Sequence, residues 1–197
     1  MRDRDLAILK DLERFRVLSR DDIIDLYFKH LKRPVTSANT VLKRMRRDGL
    51  IEVNTDVKPY LYFQSPSPIK KDSSKIYHYL KIVEFYKRLL KYEQPRSFIV
   101  EPKYGKGFME PDVFMIWRRS PFFVEIQRSV YSERVMTEKV KRYEAYFLSN
   151  EWQKETWQPA NKKVFPVVLL LTGTRYQIKS SYVRFIQISS IDELFTK

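Results

Sequence analysis

The stretch EPDVFMIW occupies residues 110–117, and FFVEIQRS follows at residues 122–129 after a short turn. Each stretch contains a short apolar run bounded by turn residues, so the sequence predicts one β-strand in each and a hairpin overall. Asp112 immediately precedes the first strand, and Glu125 lies near the end of the second. Because the two strands of a hairpin run in opposite directions, we expect these two carboxylates to lie side by side.

Two adjacent carboxylates form a candidate site for a divalent cation, because Mg²⁺ prefers oxygen ligands. Mg²⁺ or Mn²⁺ held by Asp112 and Glu125 would activate water and neutralise a phosphodiester during hydrolysis. Glu101 or Glu84 is a candidate for a further carboxylate at this site. The alternative interpretation is a turn aspartate and an edge-strand glutamate, because short acidic motifs recur by chance.

The rest of this second region has the pattern of a mixed α/β fold. Lys139 and Arg142 share one face of a long predicted helix, so either is a candidate to neutralise a phosphate near the carboxylates. A helix between two strands of one sheet forms a crossover. The predicted elements are helices at Ile76 to about Leu90, Ser132–Leu148 and Ile191–Phe195, and strands at Ser97–Val100, Val113–Trp117, Phe122–Ile126, Val164–Leu171 and Arg184–Ile188.

The first region contains three predicted helices followed by a hairpin. Ser19 is the predicted N-cap of the second helix, and Gly49 provides a C-terminal cap for the third. This order is typical of a helix-turn-helix module with a wing. The predicted helices are Asp3–Phe15, Arg20–Phe28 and a third from Thr36 or Ser37 to Asp48, and the strands of the wing are Leu50–Val53 and Tyr60–Phe63.

The third helix has a polar and basic face opposite its apolar stripe. No carboxylate lies between Asp25 and Asp48, whereas lysines and arginines are frequent there. Such a surface approaches phosphates without repulsion, and Asn or Arg side chains can bind base edges in the major groove. A protein-binding surface or a plain solvated face is the alternative. We predict that double-stranded DNA is bound by Ser37, Asn39, Thr40, Lys43, Arg44 and Arg47.

The composition narrows the classes of function. Lys and Arg number 38 against 24 Asp and Glu, a net charge of +14 that attracts nucleic acid or an acidic membrane face. The absence of cysteine excludes disulfides, thiol nucleophiles and zinc fingers. The start of the chain is too charged for a signal peptide, and the longest apolar run, 164–171, is too short to span a bilayer. We therefore expect a cytoplasmic protein that is not embedded in a membrane.

A polar stretch with two prolines divides the chain. Residues 64–74 read QSPSPIKKDSS, a composition typical of a linker. The predicted domains are 1–64 for the DNA-binding module and 75–197 for the α/β domain, with 65–74 as the linker.

Several motifs resemble known families. LSRDDIIDLYF at 18–28 and TSANTVLKRMRRDGLIEV at 36–53 resemble the winged-helix family, in which the turn after the third helix leads into the wing. Pro111-Asp112 and Glu125-Ile126-Gln127 resemble the PD-(D/E)XK nuclease superfamily, with Gln127 in place of the lysine. This resemblance implies that Asp112 and Glu125 bind metal and that Gln127 positions the water, although its amide supplies neither a charge nor a base. It also implies an α+β protein, in which an N-terminal winged helix-turn-helix precedes a restriction-endonuclease-like domain.

A narrower resemblance covers most of the chain. The chain is similar to the replication-relaxation family in four features: His78, the PD motif, the pattern F.VE..RS and the pattern K..RY..Y. The last pattern contains Lys139, Arg142, Tyr143 and Tyr146. VEIQRS is also similar to the nuclease part of CoiA-like proteins. The first family implies a protein of plasmids, phages or conjugative elements that acts in replication or mobilisation.

Three hypotheses about function follow. The first is a DNA-binding protein of a mobile element that acts as a Mg²⁺-dependent endonuclease or nickase, with Asp112, Glu125, Gln127 and Lys139 as its catalytic residues. The second is a non-catalytic DNA-binding regulator or replication accessory factor with a degenerate nuclease fold, favoured by Gln127. The third is a protein-binding adaptor that uses exposed Trp152 and Trp157. The expected partners are double-stranded DNA, replication or mobilisation proteins, and a second copy of the chain in a homodimer.

Overall fold

The computed structural model describes residues 1–195. These form two compact units, Met1–Lys87 and a second that begins at Arg88. Each unit combines helices with one β-sheet. The predicted α+β class is therefore confirmed at this level.

The first unit begins with three helices, α1 (Asp3–Phe15), α2 (Arg20–Tyr27) and α3 (Pro34–Arg47). Its three-stranded antiparallel sheet has the order β1-β3-β2. The strands are β1 (Leu18–Ser19), β2 (Ile51–Asn54) and β3 (Leu61–Gln64).

Local sequence explains how these helices begin and end. The Ser19 hydroxyl accepts a hydrogen bond from the backbone N–H of Asp22, whose carboxylate accepts one from the N–H of Ser19, so the predicted cap of α2 is confirmed. α3 begins at Pro34, earlier than predicted, because the fixed φ of proline suits the first turn of a helix. Gly49 adopts φ 71° just after α3, in the left-handed region that favours glycine.

Helix α4 (Ile76–Leu89) follows the predicted linker, and most of it packs with the first unit. The ring of Tyr86 lies 5.3 Å from that of Phe15 in α1. The Lys87 ammonium lies 2.8 Å from Asp22 and 2.6 Å from Asp25 of α2. The sequence assigned α4 to the second domain, whereas these contacts join it to the first, so the units divide after Lys87.

The second unit is built on a five-stranded sheet of order β4-β5-β6-β7-β8. β4, β5 and β6 are antiparallel neighbours, whereas β6, β7 and β8 are parallel ones. Helix α5 (Glu133–Ser149) connects the parallel neighbours β6 and β7, which agrees with the predicted crossover. The strands are β4 (Ser97–Val100), β5 (Val113–Trp117), β6 (Ser120–Ile126), β7 (Val167–Leu171) and β8 (Phe185–Ile188), and 3₁₀ turns lie at Glu151–Lys154 and Ile191–Leu194.

One face of α5 packs on this sheet through aromatic side chains. Tyr143 and Tyr146 are buried with Phe123 in a core cluster. Trp152 is buried in the same cluster, with its indole N–H donating to the carbonyl of Phe147. The prediction that Trp152 is an exposed, partner-binding aromatic is therefore wrong. This packing holds α5 against β6. It therefore also sets which side chains of α5 lie over the end of β6.

Candidate functional site

Asp112 and Glu125 come together as the sequence predicts. Val113 pairs with Val124 across β5 and β6, so the register continues with Asp112 opposite Glu125, and directly opposed residues share a face of the sheet. The Asp112 carboxylate accepts a hydrogen bond of 2.6 Å from the backbone N–H of Ile126, the residue after Glu125. Asp112 is thereby anchored beside the end of β6.

Both oxygens of the Glu125 carboxylate accept hydrogen bonds from side chains of α5. Glu125 is only 4 % exposed. The Lys139 ammonium donates to Oε2 over 2.6 Å, and the Tyr143 hydroxyl donates to Oε1 over 2.7 Å. Lys139 and Tyr143 are four residues apart, which places both side chains on one face of the helix. Of the two cations that the sequence offered, Lys139 rather than Arg142 makes this contact.

Burial controls the protonation of this cluster. Burial raises the pKa of Glu125; the Lys139 ammonium opposes this and the Asp112 carboxylate adds to it, and the net shift is upward. Burial acts to lower the pKa of Lys139, but the Glu125 carboxylate outweighs it, so the pKa of Lys139 is raised. Burial and Glu125 also hold the pKa of Tyr143 well above its usual value. The raised pKa values of Lys139 and Tyr143 favour a charged ammonium and a donating hydroxyl, and that of Glu125 favours its protonated form.

A pocket of about 530 Å³ opens onto this cluster. Glu125 and Lys139 line it together with Arg134 and Arg142, which also belong to α5. Glu110 and Glu138 line it too, so three cations stand beside three carboxylates. The two arginines can bind phosphate oxygens through paired N–H donors near this acidic centre.

Of the other residues predicted for this site, Gln127 and Glu84 are engaged elsewhere, whereas Glu101 lies beside Asp112. The side-chain amide of Gln127 donates to the hydroxyl of Tyr176 over 2.8 Å. Glu101 neighbours Asp112 through its backbone N–H, which donates to the Asp112 carbonyl. Glu84 lies on α4 in the first unit and forms an ion pair of 2.7 Å with Lys81. Within residues 1–195 no three acidic or histidine side chains group closely enough to hold a metal ion, so the candidate ligands are the pair Asp112 and Glu125.

The pair fits a divalent cation in the chemistry of its donors. Both members are carboxylates on one face, and the Coulomb repulsion between them contributes to the raised pKa of Glu125. A divalent cation relieves such repulsion. The Lys139 ammonium also supplies a compensating charge at Oε2 of Glu125.

The polar face of α3 is a separate candidate interface. Asn39, Thr40, Lys43 and Arg47 are exposed, and Ser37 is half-buried. The Thr40 hydroxyl donates to the Thr36 carbonyl within the helix. Arg47 is 75 % exposed at its side chain and pairs with the neighbouring Asp48, a contact that solvent weakens.

Arg44 differs from the other predicted DNA-binding residues. Its guanidinium lies 2.6 Å from the carboxylate of Asp5 in α1, and the side chain of Asp5 is only 3 % exposed. This ion pair joins α3 to α1. We therefore assign Arg44 to the packing of the first unit, because its charge is already used there.

Tyr143 and Arg134 were missed as site residues in the sequence. The sequence names Tyr143 as part of the K..RY..Y pattern, and in the structure it is buried and its hydroxyl reaches Glu125. Its spacing of four residues from Lys139 is the signal that identifies it. Arg134 precedes Lys139 by five residues, and no spacing rule in the sequence links it to the carboxylates.

The arrangement defines an α+β protein with a basic helix surface in one unit and a buried carboxylate–lysine–tyrosine cluster in the other. The model of the replication-relaxation family matches residues 63–168, more than half of the chain. The chain therefore belongs to the replication-relaxation family, and this membership supports a role in the replication or mobilisation of a mobile element. No curated protein and no solved structure matches it significantly. Among the described residues, no helix has the length and apolar character needed to cross a membrane.

Proposed function

We propose that the chain is a DNA-binding protein of a mobile element that cleaves or nicks DNA with the help of Mg²⁺ or Mn²⁺. In this proposal the first unit is a winged helix-turn-helix module, and the second is a restriction-endonuclease-like domain of the PD-(D/E)XK type. The observation that carries the proposal is the contact of Lys139 with Glu125 beside Asp112. The Lys139 ammonium supplies the positive charge that the lysine of the PD-(D/E)XK motif would provide and that Gln127 lacks.

The residues of the second unit divide the work as follows. Asp112 and Glu125 would hold the cation, which would supply activation of water and neutralisation of the scissile phosphate. Lys139 is the cation nearest the carboxylates and stabilises charge that develops on the phosphate. Tyr143 fixes the orientation of Glu125 by donating to Oε1. Gln127 holds Tyr176, so we assign it a supporting role instead of the positioning of water.

Arg134 and Arg142 line the same pocket as the carboxylate–lysine contact. In this proposal their guanidinium groups bind the phosphates on either side of the scissile bond and so position the strand. Their contribution is therefore to affinity, whereas that of Lys139 is to the rate.

The first unit supplies the grip on double-stranded DNA. We propose that α3 enters the major groove, that Asn39 contacts base edges, and that Lys43 and Arg47 contact phosphates. The β2–β3 hairpin is the wing of the module. The net charge of +14 supports this role, because an excess of this size draws the chain towards polyanions.

A plasmid-nicking assay tests the nuclease. Supercoiled DNA is incubated with the full chain and Mg²⁺ or Mn²⁺, and the wild type is compared with Asp112→Asn and Glu125→Gln. We expect the wild type to relax the plasmid and both variants to fail. The matched control is Glu151→Gln, which removes an exposed carboxylate of the same unit and should nick like the wild type. Equal nicking by all four proteins, or by none of them, would contradict the proposed nuclease activity.

A non-catalytic DNA-binding factor is the second candidate. It is favoured by the two hydrogen bonds that already engage both oxygens of Glu125, and by the lack of a third clustered ligand in the part of the chain described. In that case DNA affinity is the same with Mg²⁺ or with a chelator, and no nicking occurs. Binding that weakens with Lys43→Gln but ignores the metal selects this candidate.

A further inference from the structure

A second pocket lies at the far end of the β5–β6 hairpin from the carboxylate pair. Asp112 precedes β5, whereas the turn that ends this strand contributes Arg118 and Arg119 to the pocket. The length of β5 separates the two places by roughly 16 Å. The pocket has a volume of about 480 Å³, within the usual range for small-ligand sites.

Three arginines line this pocket: Arg96, Arg118 and Arg119. All three are exposed, and the acidic residue at the pocket is Glu93. Among residues 1–195, neither Arg96 nor Arg119 forms an ion pair with a carboxylate. With three arginines and one glutamate in its lining, the pocket keeps a net positive charge.

The turn presents two of these arginines in an unusual backbone. Trp117 pairs with Ser120, so Arg118 and Arg119 form a two-residue hairpin turn, with φ of 48° and 63°. Such turns favour Asn and Gly, because other side chains are strained at positive φ. Arg118 is further fixed by its guanidinium, which lies 4.3 Å from the ring centre of Phe195 and 5.2 Å from that of Trp117. A preorganised guanidinium loses less freedom when it binds an anion.

An apolar wall faces the arginines. Trp157 is half-buried there, with its ring 5.0 Å from that of Phe114. Its buried indole N–H has no acceptor among the described residues, which leaves an unsatisfied donor in the wall. Ile116, Pro121 and Val164 complete the apolar lining.

We propose that this pocket binds a nucleoside phosphate, either as a free nucleotide or as the phosphorylated end of a DNA strand. The arginines would bind the phosphate through charge-assisted hydrogen bonds, and the apolar wall with Trp157 would accept the base. Neither a lone anion nor a lone apolar ligand uses both halves of the pocket. The site shares no residue with the carboxylate cluster, so the inference is independent of the proposed nuclease.

Calorimetric titration of the full chain with dAMP tests the proposal. We expect one dAMP per chain, with inorganic phosphate and deoxyadenosine each binding at least tenfold more weakly. The double variant Arg96→Gln/Arg119→Gln should weaken dAMP binding at least tenfold. The control Arg175→Gln/Arg184→Gln removes the same charge from exposed sites of the same unit outside the pocket, and should bind within twofold of the wild type.

A competition experiment separates the two sources of nucleotide. Two oligonucleotides of one sequence, with and without a 5′-phosphate, are added to the dAMP complex. If only the phosphorylated strand displaces dAMP, the pocket is assigned to strand ends. If the two strands displace dAMP equally, or not at all, it is assigned to free nucleotides. The proposal is overturned if the wild type does not bind dAMP, or if both double variants bind it equally well while their circular dichroism spectra match that of the wild type.

Discussion

The α3 surface and the Glu125 cluster use charge in opposite ways. On α3 the side chains of Lys43 and Arg47 lie in solvent, where each contributes weakly and salt screens it. At Glu125 the carboxylate is buried, and a single ammonium from α5 balances it. The effect of the exposed charges on DNA binding therefore depends on how many cations there are. The effect of the buried charge on the site depends on the position of one group, the Lys139 ammonium. Substitutions in the two regions should differ accordingly.

The largest expected effect is on nicking by Lys139→Met. Removing the cation nearest the carboxylates should lower the rate of nicking by about 100-fold, the usual loss when one preorganised electrostatic group is removed. Lys154→Met removes an exposed lysine of the same unit and should nick like the wild type. Rates measured on supercoiled plasmid under single-turnover conditions check this. Equal rates for the two variants would show that the position of Lys139 at the carboxylates does not matter for nicking.

The same substitution should also destabilise the protein. Without Lys139, Glu125 is a buried carboxylate with no counter-charge, which costs about 1–3 kcal/mol of unfolding free energy. The pKa of Glu125 is raised above its usual 4.5 by burial, so its protonated form is favoured in the folded protein. Its contribution to stability is therefore present below pH 4.5 and is lost as the pH rises through the folded pKa.

Losing Lys139 raises that pKa further, since the ammonium acts to lower it. The destabilisation by Lys139→Met should therefore be larger at pH 8 than at pH 4. Urea unfolding at the two pH values checks the sign. A loss that is larger at pH 4 contradicts the assignment of Lys139 as the counter-charge of a buried Glu125.

How much of this was visible in the sequence differs between the two regions. The bounds of β4 and β5 agree with the predicted strands, because short apolar runs between turn residues leave few alternatives. The pairing of Asp112 with Glu125 followed from hairpin geometry. The choice between Lys139 and Arg142 did not, because both lie on the same side of α5 and only the packing of Tyr143 sets its rotation.

Contacts over long sequence distances were the other gap. Arg44 shares the basic pattern of its neighbours, and its partner Asp5 is 39 residues away, so no local rule identifies the pair. The packing of α4 on α1 and α2 was hidden for the same reason. β1 has only two residues, and its sequence was already explained by the cap of α2.

An intermediate effect is expected on DNA affinity. The double variant Lys43→Gln/Arg47→Gln should bind DNA about tenfold more weakly. The slope of log affinity against log salt should become shallower by about 2, since each phosphate contact contributes about 1. Fluorescence anisotropy over a range of salt concentrations measures both quantities, and an unchanged slope would remove α3 from the interface.

The smallest effect sharpens the comparison within α3 itself. Arg44→Gln should cost about 1–2 kcal/mol of unfolding free energy, because the buried Asp5 carboxylate loses its cationic partner. The salt slope of DNA binding should stay that of the wild type. Denaturant unfolding and the anisotropy series together check this, and a shallower slope with unchanged stability would return Arg44 to the DNA-binding surface.

Titration with Mn²⁺, followed by electron paramagnetic resonance of the free ion, tests most directly whether Asp112 and Glu125 share a cation. The account predicts that the wild type and Glu151→Gln each take up one ion per chain, and that Asp112→Asn and Glu125→Gln do not. Mn²⁺ uptake that is the same in all four proteins, or absent from the wild type, would contradict it.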